Sequence, residues 1–351
     1  MSAEPWVLVV DDGDSQSRTA LVAARALAAG EYRVAATVSG PRSLAGASRS
    51  VALRIPAPGI DDPAFDDALA RALDQGRYEC VLPASDAALL KLEPGVRGLL
   101  DKAELASLGA AAGIATPESM AFSDLASLSS AADDLPYPVV LKPQRSVWRP
   151  YRVGSPEELR ASPPPSAPLL VQPYLEGTLR AVGGVVRRGE LVAAVHQRYV
   201  RTWPPEAGGA SYAVSVEPDR DLEERLVRLL GGRDGIFMAQ LVDDVLLDLN
   251  PRVYGSLPLA VAADVNLAAI HCDLVRGRHP VSRRGRPGVV FRWTEGDVRH
   301  VVAKVRAKAM GPGAALRALR PRRGVVHPVE SLRDPGPMLA RARFALGRVR
   351  R

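Results

Sequence analysis

The chain has 351 residues, of which 47% are hydrophobic and 24% charged, and its net charge is +7 at pH 7. This length exceeds one compact core and predicts two or three lobes, while the composition is typical of a globular protein. No run of roughly 18 apolar residues occurs, which argues against a transmembrane helix. The first residues, MSAEPWVLVVDD, lack the basic and apolar regions of a secretory signal, so we expect a cytoplasmic protein.

The cysteines and histidines exclude two classes of enzyme. Cys80 and Cys272 lie far apart without CxxC spacing, which predicts two buried thiols in a reducing compartment. The five histidines show no metal-binding spacing, and no GxSxG motif is present. Zinc enzymes and serine hydrolases are therefore poor interpretations of this sequence.

The first hundred residues predict a Rossmann-like lobe. Apolar runs at 6–10, 32–38 and 79–82 predict strands, and 18–29 and 63–75 predict helices between them. An acidic loop at 11–14 follows the first strand without a GxGxxG fingerprint. It either caps the next helix, which we favour, or contacts a substrate, because ligands bind at the carboxyl ends of such strands.

Later segments predict two hairpins and a long helix. Residues 183–194 alternate as a hairpin, and residues 245–249 form an apolar run typical of a buried strand that follows residues 237–240. Residues 257–276 predict one amphipathic helix. The proline-rich stretch at 162–168 predicts a surface connection, because a central strand cannot lose three backbone amides.

The segment DLNPR at 248–252 carries the clearest chemical signal. Asp248 and Asn250 are two positions apart on a predicted strand and therefore point to the same face. Gln240, on the preceding strand, adds a third hard oxygen, and this set suits Mg²⁺ that carries nucleotide phosphates. Arg252 follows as a planar donor for a phosphate or carboxylate. The alternative is a polar strand end that enters a Pro-Arg turn.

Together with DLNPR, five other segments in the same order resemble the ATP-grasp superfamily, on the branch near carbamoyl-phosphate synthase and biotin carboxylase. The resemblance spans roughly residues 5–278. The segments are ECVLPASDAALL at 79–90, DKAELASLGAAAGIATP at 101–117, PVVLKP at 138–143, LLVQPYLEG at 169–177 and PPEAGGAS at 204–211.

The resemblance implies an α/β fold, with α+β character in the grasp lobes. A Rossmann-like pre-ATP-grasp domain would span 1–100 and a small lid lobe 101–180. A catalytic lobe would span 181–280, followed by a basic C-terminal extension at 281–351.

The resemblance also implies the ligands and their residues. ATP and Mg²⁺ are the expected cofactors, with Mn²⁺ as an alternative metal. Arg252 and Lys142 would be catalytic, and Gln240, Asp248 and Asn250 would bind the metal. The implied nucleotide-binding residues are Lys102, Lys142, Gln172, Tyr174, Leu175, Glu176, Gly208 and Gly209. As alternatives, Lys142 is a strand-end lysine that reaches water, and Gly208 and Gly209 form a flexible loop.

The chain departs from the family on the nucleotide side. The loop after Lys142 is basic and aromatic instead of glycine-rich, so its arginines either neutralise phosphate or are solvated. Pro173 and Arg180 stand where relatives often carry glutamates that hold the adenosine, with Glu176 as a nearby substitute. Asp248 replaces the usual glutamate and retains its charge.

The carboxy-terminal quarter is strongly basic. Residues 276–351 contain 20 Lys and Arg against 4 Asp and Glu, whereas the rest of the chain is net acidic. Such a segment, which includes Arg348 and Arg351, would attract an acidic protein partner, a nucleic acid or a membrane surface. The favoured alternative is a solvated tail that reflects an Arg-rich composition. Residues 339–351 predict an amphipathic helix.

Two functions fit these features. The first is an ADP-forming ligase that phosphorylates a carboxylate and joins the acyl phosphate to an amine, with a kinase or carboxylase-like activity as a close variant. The second is a degenerate relative that binds a nucleotide or metabolite as a regulatory module. Substrates would contact the loops around Tyr199, Arg201, Trp203 and Tyr254, and amino acids or short peptides are the expected class. A homodimer through the first lobe would follow the family habit.

Overall fold

The computed structural model describes residues 4–349, with side chains to residue 346. Within this part of the chain the strands form three sheets, which follow one another along the sequence. None of the helices in the described residues has the length and apolar character that crossing a membrane requires.

The first lobe is built on a parallel sheet. Its elements in chain order are β1 (Trp6–Val10), α1 (Arg18–Ala29), β2 (Arg33–Val38), β3 (Leu53–Pro56), α2 (Pro63–Leu73), β4 (Tyr78–Pro83), α3 (Asp86–Leu92), α4 (Arg97–Leu100) and α5 (Leu105–Ala112). The strand order is β3-β2-β1-β4, so the carboxyl ends of β1 and β4 lie side by side. The side chain of Ser17 accepts from the Ala20 amide and is the N-cap of α1, so the preceding acidic loop does not supply the cap.

A small antiparallel sheet follows. Its elements are β5 (Met120–Phe122), α6 (Leu125–Ser130), β6 (Val139–Pro143), β7 (Tyr151–Val153), α7 (Pro156–Ala161) and β8 (Leu169–Pro173). The order β5-β8-β6-β7 places β6 in the interior of the sheet, where Val139 and Leu141 are fully buried. The segment after β6 leads to β7 of the same sheet, whereas the segment after β8 leads to the third sheet. Lys142 of β6 and Gln172 of β8 are both buried.

The largest sheet contains the predicted hairpins. Its elements are β9 (Leu179–Arg187), β10 (Glu190–Trp203), β11 (Gly209–Val216), α8 (Arg220–Leu229), β12 (Gly235–Val242), β13 (Val245–Asn250), α9 (Leu257–Ala262), α10 (Leu267–Val275), β14 (Arg283–Arg284), β15 (Val290–Arg292), α11 (Thr294–Arg306), α12 (Pro312–Leu319), β16 (Val325–Val326) and α13 (Gly336–Val349). The strand order is β13-β12-β9-β10-β11-β15-β16, with β14 beside β10. One apolar core joins this sheet to the first lobe across α1, α9 and α10.

The prediction of one continuous helix at 257–276 is wrong, because α9 and α10 are separate helices. Asp264 between them has a φ of 68°, in the left-handed region that aspartate tolerates better than most residues. The side chain of Asn266 then accepts from the Ala269 amide and begins α10 as a new helix.

The segment predicted as a basic C-terminal extension is largely folded into the third lobe. β15 pairs with β11, and β16 pairs with β15, so both strands extend the large sheet. The buried carboxylate of Asp297 binds the guanidinium groups of Arg201 and Arg292, and Arg341 of α13 reaches Glu295 and Gln16. Charge composition predicted a solvated tail because it contains no information on strand pairing. The side chains of the predicted cluster at Arg348 and Arg351 lie outside the described residues.

Candidate active site

The β12–β13 hairpin places the predicted oxygen donors together. Gln240 lies directly opposite Asp248 in the antiparallel register, and Met238 lies opposite Asn250. The side-chain Nδ2 of Asn250 donates to Asp248 Oδ2 at 3.2 Å. Asp243 has a φ of 47° and forms the turn between the strands. The period-two argument from the sequence therefore gave the correct local geometry.

Two buried lysines approach this hairpin from other parts of the chain. Lys142 is the penultimate residue of β6, and its Nζ donates to the Leu247 carbonyl at 3.1 Å. Lys102 lies in the turn before α5, where its Nζ is 3.1 Å from Ser146 Oγ and 3.5 Å from Asp248 Oδ1. Two positive charges thus flank one carboxylate at the strand that was predicted to bind phosphates.

Burial sets the protonation behaviour of Lys142. Desolvation disfavours its charged form and lowers the pKa of Lys142 to about 8, with Asp248 opposing this change and Lys102 adding to it. Only 5% of the residue is exposed, so it is not a strand-end lysine that reaches water. A cation in this position gains more from an incoming anion than a solvated lysine does.

Arg252 is held by a residue from the first lobe that the sequence did not single out. Its Nε donates to Asp86 Oδ1 at 2.5 Å, and its Nη2 donates to Asn250 Oδ1 at 3.0 Å. Burial raises the pKa of Asp86, but Arg252 and Ser146 outweigh this effect and hold it below its ordinary value. Asp86 begins α3 just after β4, so the carboxyl end of the parallel sheet orients the guanidinium of the catalytic lobe.

The donor set fits Mg²⁺ only together with other ligands. Gln240 donates through Nε2 to the Tyr199 hydroxyl at 3.1 Å, which leaves its Oε1 for another partner. Asn250 Oδ1 already accepts from Arg252, and Asp248 supplies the one carboxylate. No group of three His, Cys, Asp or Glu that could hold a metal exists among the described residues. One carboxylate with amide oxygens is the kind of set that binds Mg²⁺ when phosphates complete the coordination.

A first cavity, here called the nucleotide cavity, lies between β6, β8 and the β12–β13 hairpin. Its apolar walls come from Val140, Leu179, Val242 and Leu247. The predicted residues in its lining are Lys102, Lys142, Gln172, Tyr174, Leu175, Gly208, Gln240 and Asp248. Glu176 is exposed and does not line it.

The segment after β8 combines a fixed end with unused amides. The Tyr174 amide donates to the Pro138 carbonyl at 2.9 Å, and Gln172 Nε2 donates to Ser119 Oγ at 2.7 Å. Within the described chain, the backbone amides of Leu175 and Glu176 make no hydrogen bond. These amides are therefore available beside an apolar cavity. Arg180, on the adjoining strand, is bound to Asp219 and Asp244.

A second and wider space, here called the acceptor cleft, adjoins the nucleotide cavity and has a volume of about 600 Å³. Asn250, Arg252 and Gly209 line only this cleft, whereas Lys102, Gly208, Gln240 and Asp248 line both spaces. The remaining wall includes residues from all three lobes: Asp12, Asp14, Arg18, Trp148, Arg149, Trp203, Tyr254, Gly255 and Trp293.

Solved structures share this architecture. One is a carboxyaminoimidazole ribonucleotide synthase from Aspergillus clavatus complexed with ATP, with 17% identity and a TM-score of 0.63 over 88% of this chain and 87% of that chain. Another is an L-amino acid ligase from Bacillus licheniformis, with 14% identity and a TM-score of 0.56 over 79% and 75% of the two chains. The chain has the ATP-grasp fold.

A third neighbour with the ATP-grasp fold is the biotin carboxylase domain dimer of the Hydrogenobacter thermophilus 2-oxoglutarate carboxylase, in complex with MgADP, ADP and bicarbonate. It is 14% identical, with a TM-score of 0.57 over 81% of this chain and 73% of that chain. No protein-family model matches the sequence, and a search of curated proteins found no match. The α/β fold class predicted from the motifs is confirmed.

The loop between β6 and β7 borders the acceptor cleft through residues 146–150. Arg152 lies 3.5 Å from Glu206 and 5.1 Å above the Tyr174 ring, at the edge of the nucleotide cavity. Arg145 lies 3.9 Å from Asp101, whereas the exposed Arg149 faces the acceptor cleft. Ion pairs therefore hold two of the three arginines near carboxylates of the chain.

Arg201, which was predicted to lie near the substrate, lines neither the nucleotide cavity nor the acceptor cleft. Arg201 pairs with the buried Asp297, and its Nη2 is 3.4 Å from the Ala318 carbonyl, so it anchors the C-terminal segment. Trp203 and Tyr254 line the acceptor cleft, whereas Tyr199 lines the nucleotide cavity.

Sequence reasoning missed Asp86, Arg18 and Trp293. Asp86 follows β4 and Arg18 follows β1 of the parallel sheet. Because ligands bind at the carboxyl ends of such strands, their positions in the sequence could have indicated both residues. Trp293 had no such signal, because its segment was interpreted as an extension.

Proposed function

We propose that the protein is an ATP- and Mg²⁺-dependent ligase that phosphorylates a carboxylate and joins the resulting acyl phosphate to an amine, with release of ADP and phosphate. The observation that carries this proposal is the junction of the two spaces. Lys102, Gly208, Gln240 and Asp248 line both the nucleotide cavity and the acceptor cleft. A phosphoryl group passed from one space to the other would cross between these residues.

The nucleotide cavity offers suitable partners for each part of ATP. A planar base fits between the apolar walls, where the unused amides of Leu175 and Glu176 can bind its edge. The phosphates would then extend toward Lys142 and Lys102. Both cations are at most 8% exposed, so little water competes with the phosphates for them.

Asp248, Gln240 and Asn250 would hold Mg²⁺ through oxygen atoms. When bound, the metal neutralises phosphate charge and holds the phosphates in a reactive geometry. Asp248 gives the only charge of the three side chains, and its side chain is 24% exposed, so it can accept the ion without a large rearrangement.

Arg252 would act on the acceptor side. A substrate carboxylate oxygen bonds to the γ-phosphorus as the bond to ADP breaks. The amine nitrogen then attacks the acyl carbon, phosphate leaves with the bonding electron pair, and the amine loses a proton to solvent. Arg252 lines the cleft where this charge develops, and Asp86 and Asn250 fix its orientation before the substrate arrives.

The test is ADP formation by the purified protein with Mg²⁺ across a matrix of carboxylates and amines. We expect ADP only with a particular pair, together with a product whose mass equals the two substrates minus water. The double variant Asp248→Ala, Asn250→Ala should abolish it. Asp244→Ala is the matched control, because Asp244 lies in the turn of the same hairpin and its side chain is 66% exposed.

Other outcomes distinguish the alternatives. AMP in place of ADP would refute the proposed reaction. ADP formation with a carboxylate but without any amine would favour a kinase or carboxylase-like activity. Tight nucleotide binding that no pair converts to turnover would favour a regulatory module, which the altered lid and the engaged Arg180 make physically reasonable.

A further inference from the structure

Arg18 stands out among the arginines that face the centre of the molecule. It is the first residue of α1, directly after the loop that leaves β1. Its guanidinium lies 3.5 Å from the centroid of the Trp293 ring. It makes no hydrogen bond or ion pair with any described residue, whereas Arg25 on the same helix binds Asp334 and two backbone carbonyls.

Electrostatics make this isolation costly. Burial, with the like charges of Arg341 and Arg149 adding to its effect, lowers the pKa of Arg18 to about 9. Glu295, the acid with the largest opposing effect, is already bound by Arg341 and Arg299. Arg18 is thus a half-buried positive charge that forms no ion pair with a carboxylate of the described residues. An anion that enters would recover interactions that the chain itself does not provide.

The position of Arg18 connects it to the reaction centre. It lines the acceptor cleft together with Asn250 and Arg252. A Cβ added at Gly255 would lie 3.8 Å from the guanidinium, so Arg18 sits over the chain three residues beyond Arg252. A small substrate could therefore contact Arg18 at one end and the phosphoryl-transfer region at the other.

The surrounding groups indicate what kind of anion fits. The guanidinium carbon lies 3.5 Å from the Trp293 ring centroid, and the planar guanidinium has donors free for the two parallel hydrogen bonds that a carboxylate accepts. Asp12 and Asp14 line the same cleft and form no ion pair among the described residues, so they can attract an ammonium group during entry. The lining of the cleft therefore combines charged groups of both signs, which fits a zwitterion.

We propose that Arg18, stacked on Trp293, binds the carboxylate of an amino acid that serves as the amine substrate. This inference rests on the proposed function and specifies its acceptor. Arg18 binds the part of the acceptor that does not react, and it orients the amine toward the acyl phosphate near Arg252.

The test compares amino acids with their amides, which retain the amine but lack the carboxylate. Arg18→Gln should raise the KM for the amino acid by about 10-fold to 100-fold, the effect of one charge-assisted bidentate contact, with the KM for ATP unchanged. The amide should react poorly with the unaltered protein and show no further loss in the variant. Arg18→Lys should recover only part of the affinity, because lysine lacks the planar fork.

Arg33→Gln is the matched control. Arg33 lies 4.5 Å from the Trp6 ring outside the cleft, so it has the same kind of ring contact without the proposed role. It should leave the KM for the amino acid unchanged. Equal losses for the amino acid and its amide, or no loss in Arg18→Gln, would overturn the inference even if ADP formation itself is found. An amine with a phosphate group that depends on Arg18, when amino acids do not, would overturn the assignment to a carboxylate.

A titration without ATP separates this inference from the proposed reaction. The common amino acids, their amides and inorganic phosphate are each added while tryptophan fluorescence is measured. Amino-acid binding that requires both the carboxylate and Arg18 supports the inference even if no substrate pair yields ADP. If no amino acid changes the signal or shifts the thermal unfolding temperature of the folded protein, the inference fails.

Discussion

The nucleotide cavity and the acceptor cleft share a border but are built differently. The nucleotide cavity lies between the small antiparallel sheet and the β12–β13 hairpin of the large sheet, with apolar walls and two buried lysines. The acceptor cleft takes residues from the first sheet, the lid loop, the hairpin strand and the C-terminal segment, including three of the four tryptophans. Its wall carries unpaired groups of both signs. The proposed phosphate site thus consists of short strand motifs, whereas the proposed acceptor site consists of residues that only the folded chain brings together.

The largest expected effect would establish the chemistry of the nucleotide cavity. Lys142→Met should lower kcat/KM for ATP by about 10²-fold to 10³-fold, the scale of losing one preorganised charge at a reacting phosphate. Steady-state kinetics measure this effect. Lys91→Met is the control, because Lys91 is exposed and paired with Asp66. Unchanged ATP kinetics in Lys142→Met would show that this cavity does not bind the phosphates.

A second variant separates the acceptor side from the nucleotide side. Asp86→Asn leaves the half-buried Arg252 without its charged partner, and we expect a loss of about 3 kcal/mol in the free energy of unfolding. Denaturant titration measures it. Because the pKa of Asp86 is lowered in the folded state, its stabilisation exists above the ordinary aspartate pKa and is lost as pH falls through the folded value.

The control for that variant is Asp66→Asn, which removes an exposed ion pair with Lys91 and should cost less than about 1 kcal/mol. Equal losses in the two variants would show that Asp86 contributes no more than a surface charge. A drop in kcat with unchanged KM for ATP would place the effect of Asp86 on the acceptor side.

Gly208 and Gly209 test the border that both spaces share. An added Cβ at Gly208 would overlap the backbone of Trp203 and Pro204, whereas one at Gly209 would meet no atom within 4 Å. We expect Gly208→Ala to lower the free energy of unfolding by about 2 kcal/mol, and Gly209→Ala by a few tenths at most. Thermal unfolding of the two variants measures the contrast. Similar values would mean that the loop relaxes around a methyl group.

The pH dependence of stability tests Asp11, which directly precedes Asp12 of the acceptor cleft. Burial, followed by the charge of Asp12, raises the pKa of Asp11 to about 8. The folded state therefore retains this proton after the unfolded chain has lost it, and the free energy of unfolding falls by about 1 kcal/mol per pH unit between pH ~4 and ~8. Asp11→Asn should flatten this dependence and be relatively most stable above pH ~8. Parallel denaturant titrations across pH measure it, and identical pH profiles would contradict it.

The sequence predicted more of the nucleotide cavity than of the acceptor cleft. The shared face of Asp248 and Asn250 followed from strand periodicity, because periodicity is a local property, whereas the register that places Gln240 opposite Asp248 came from the structure. The partner of Arg252, the separation of α9 from α10, and the folding of the C-terminal segment into the large sheet likewise came from the structure. Each depends on contacts between residues far apart in the chain, such as Asp86 with Arg252.

The sequence by itself determined the fold class, the hairpin with its oxygen donors and the strand that ends in Lys142. Alternating and apolar patterns specify such elements, and the order of the motifs is specific to one fold. Only the tertiary structure decided that Lys102 and Lys142 are buried beside Asp248, and that Arg18 of the first helix lies on Trp293 from the carboxy-terminal quarter. Pairing across 275 positions is set by how the lobes pack, and no periodic pattern in the chain encodes it.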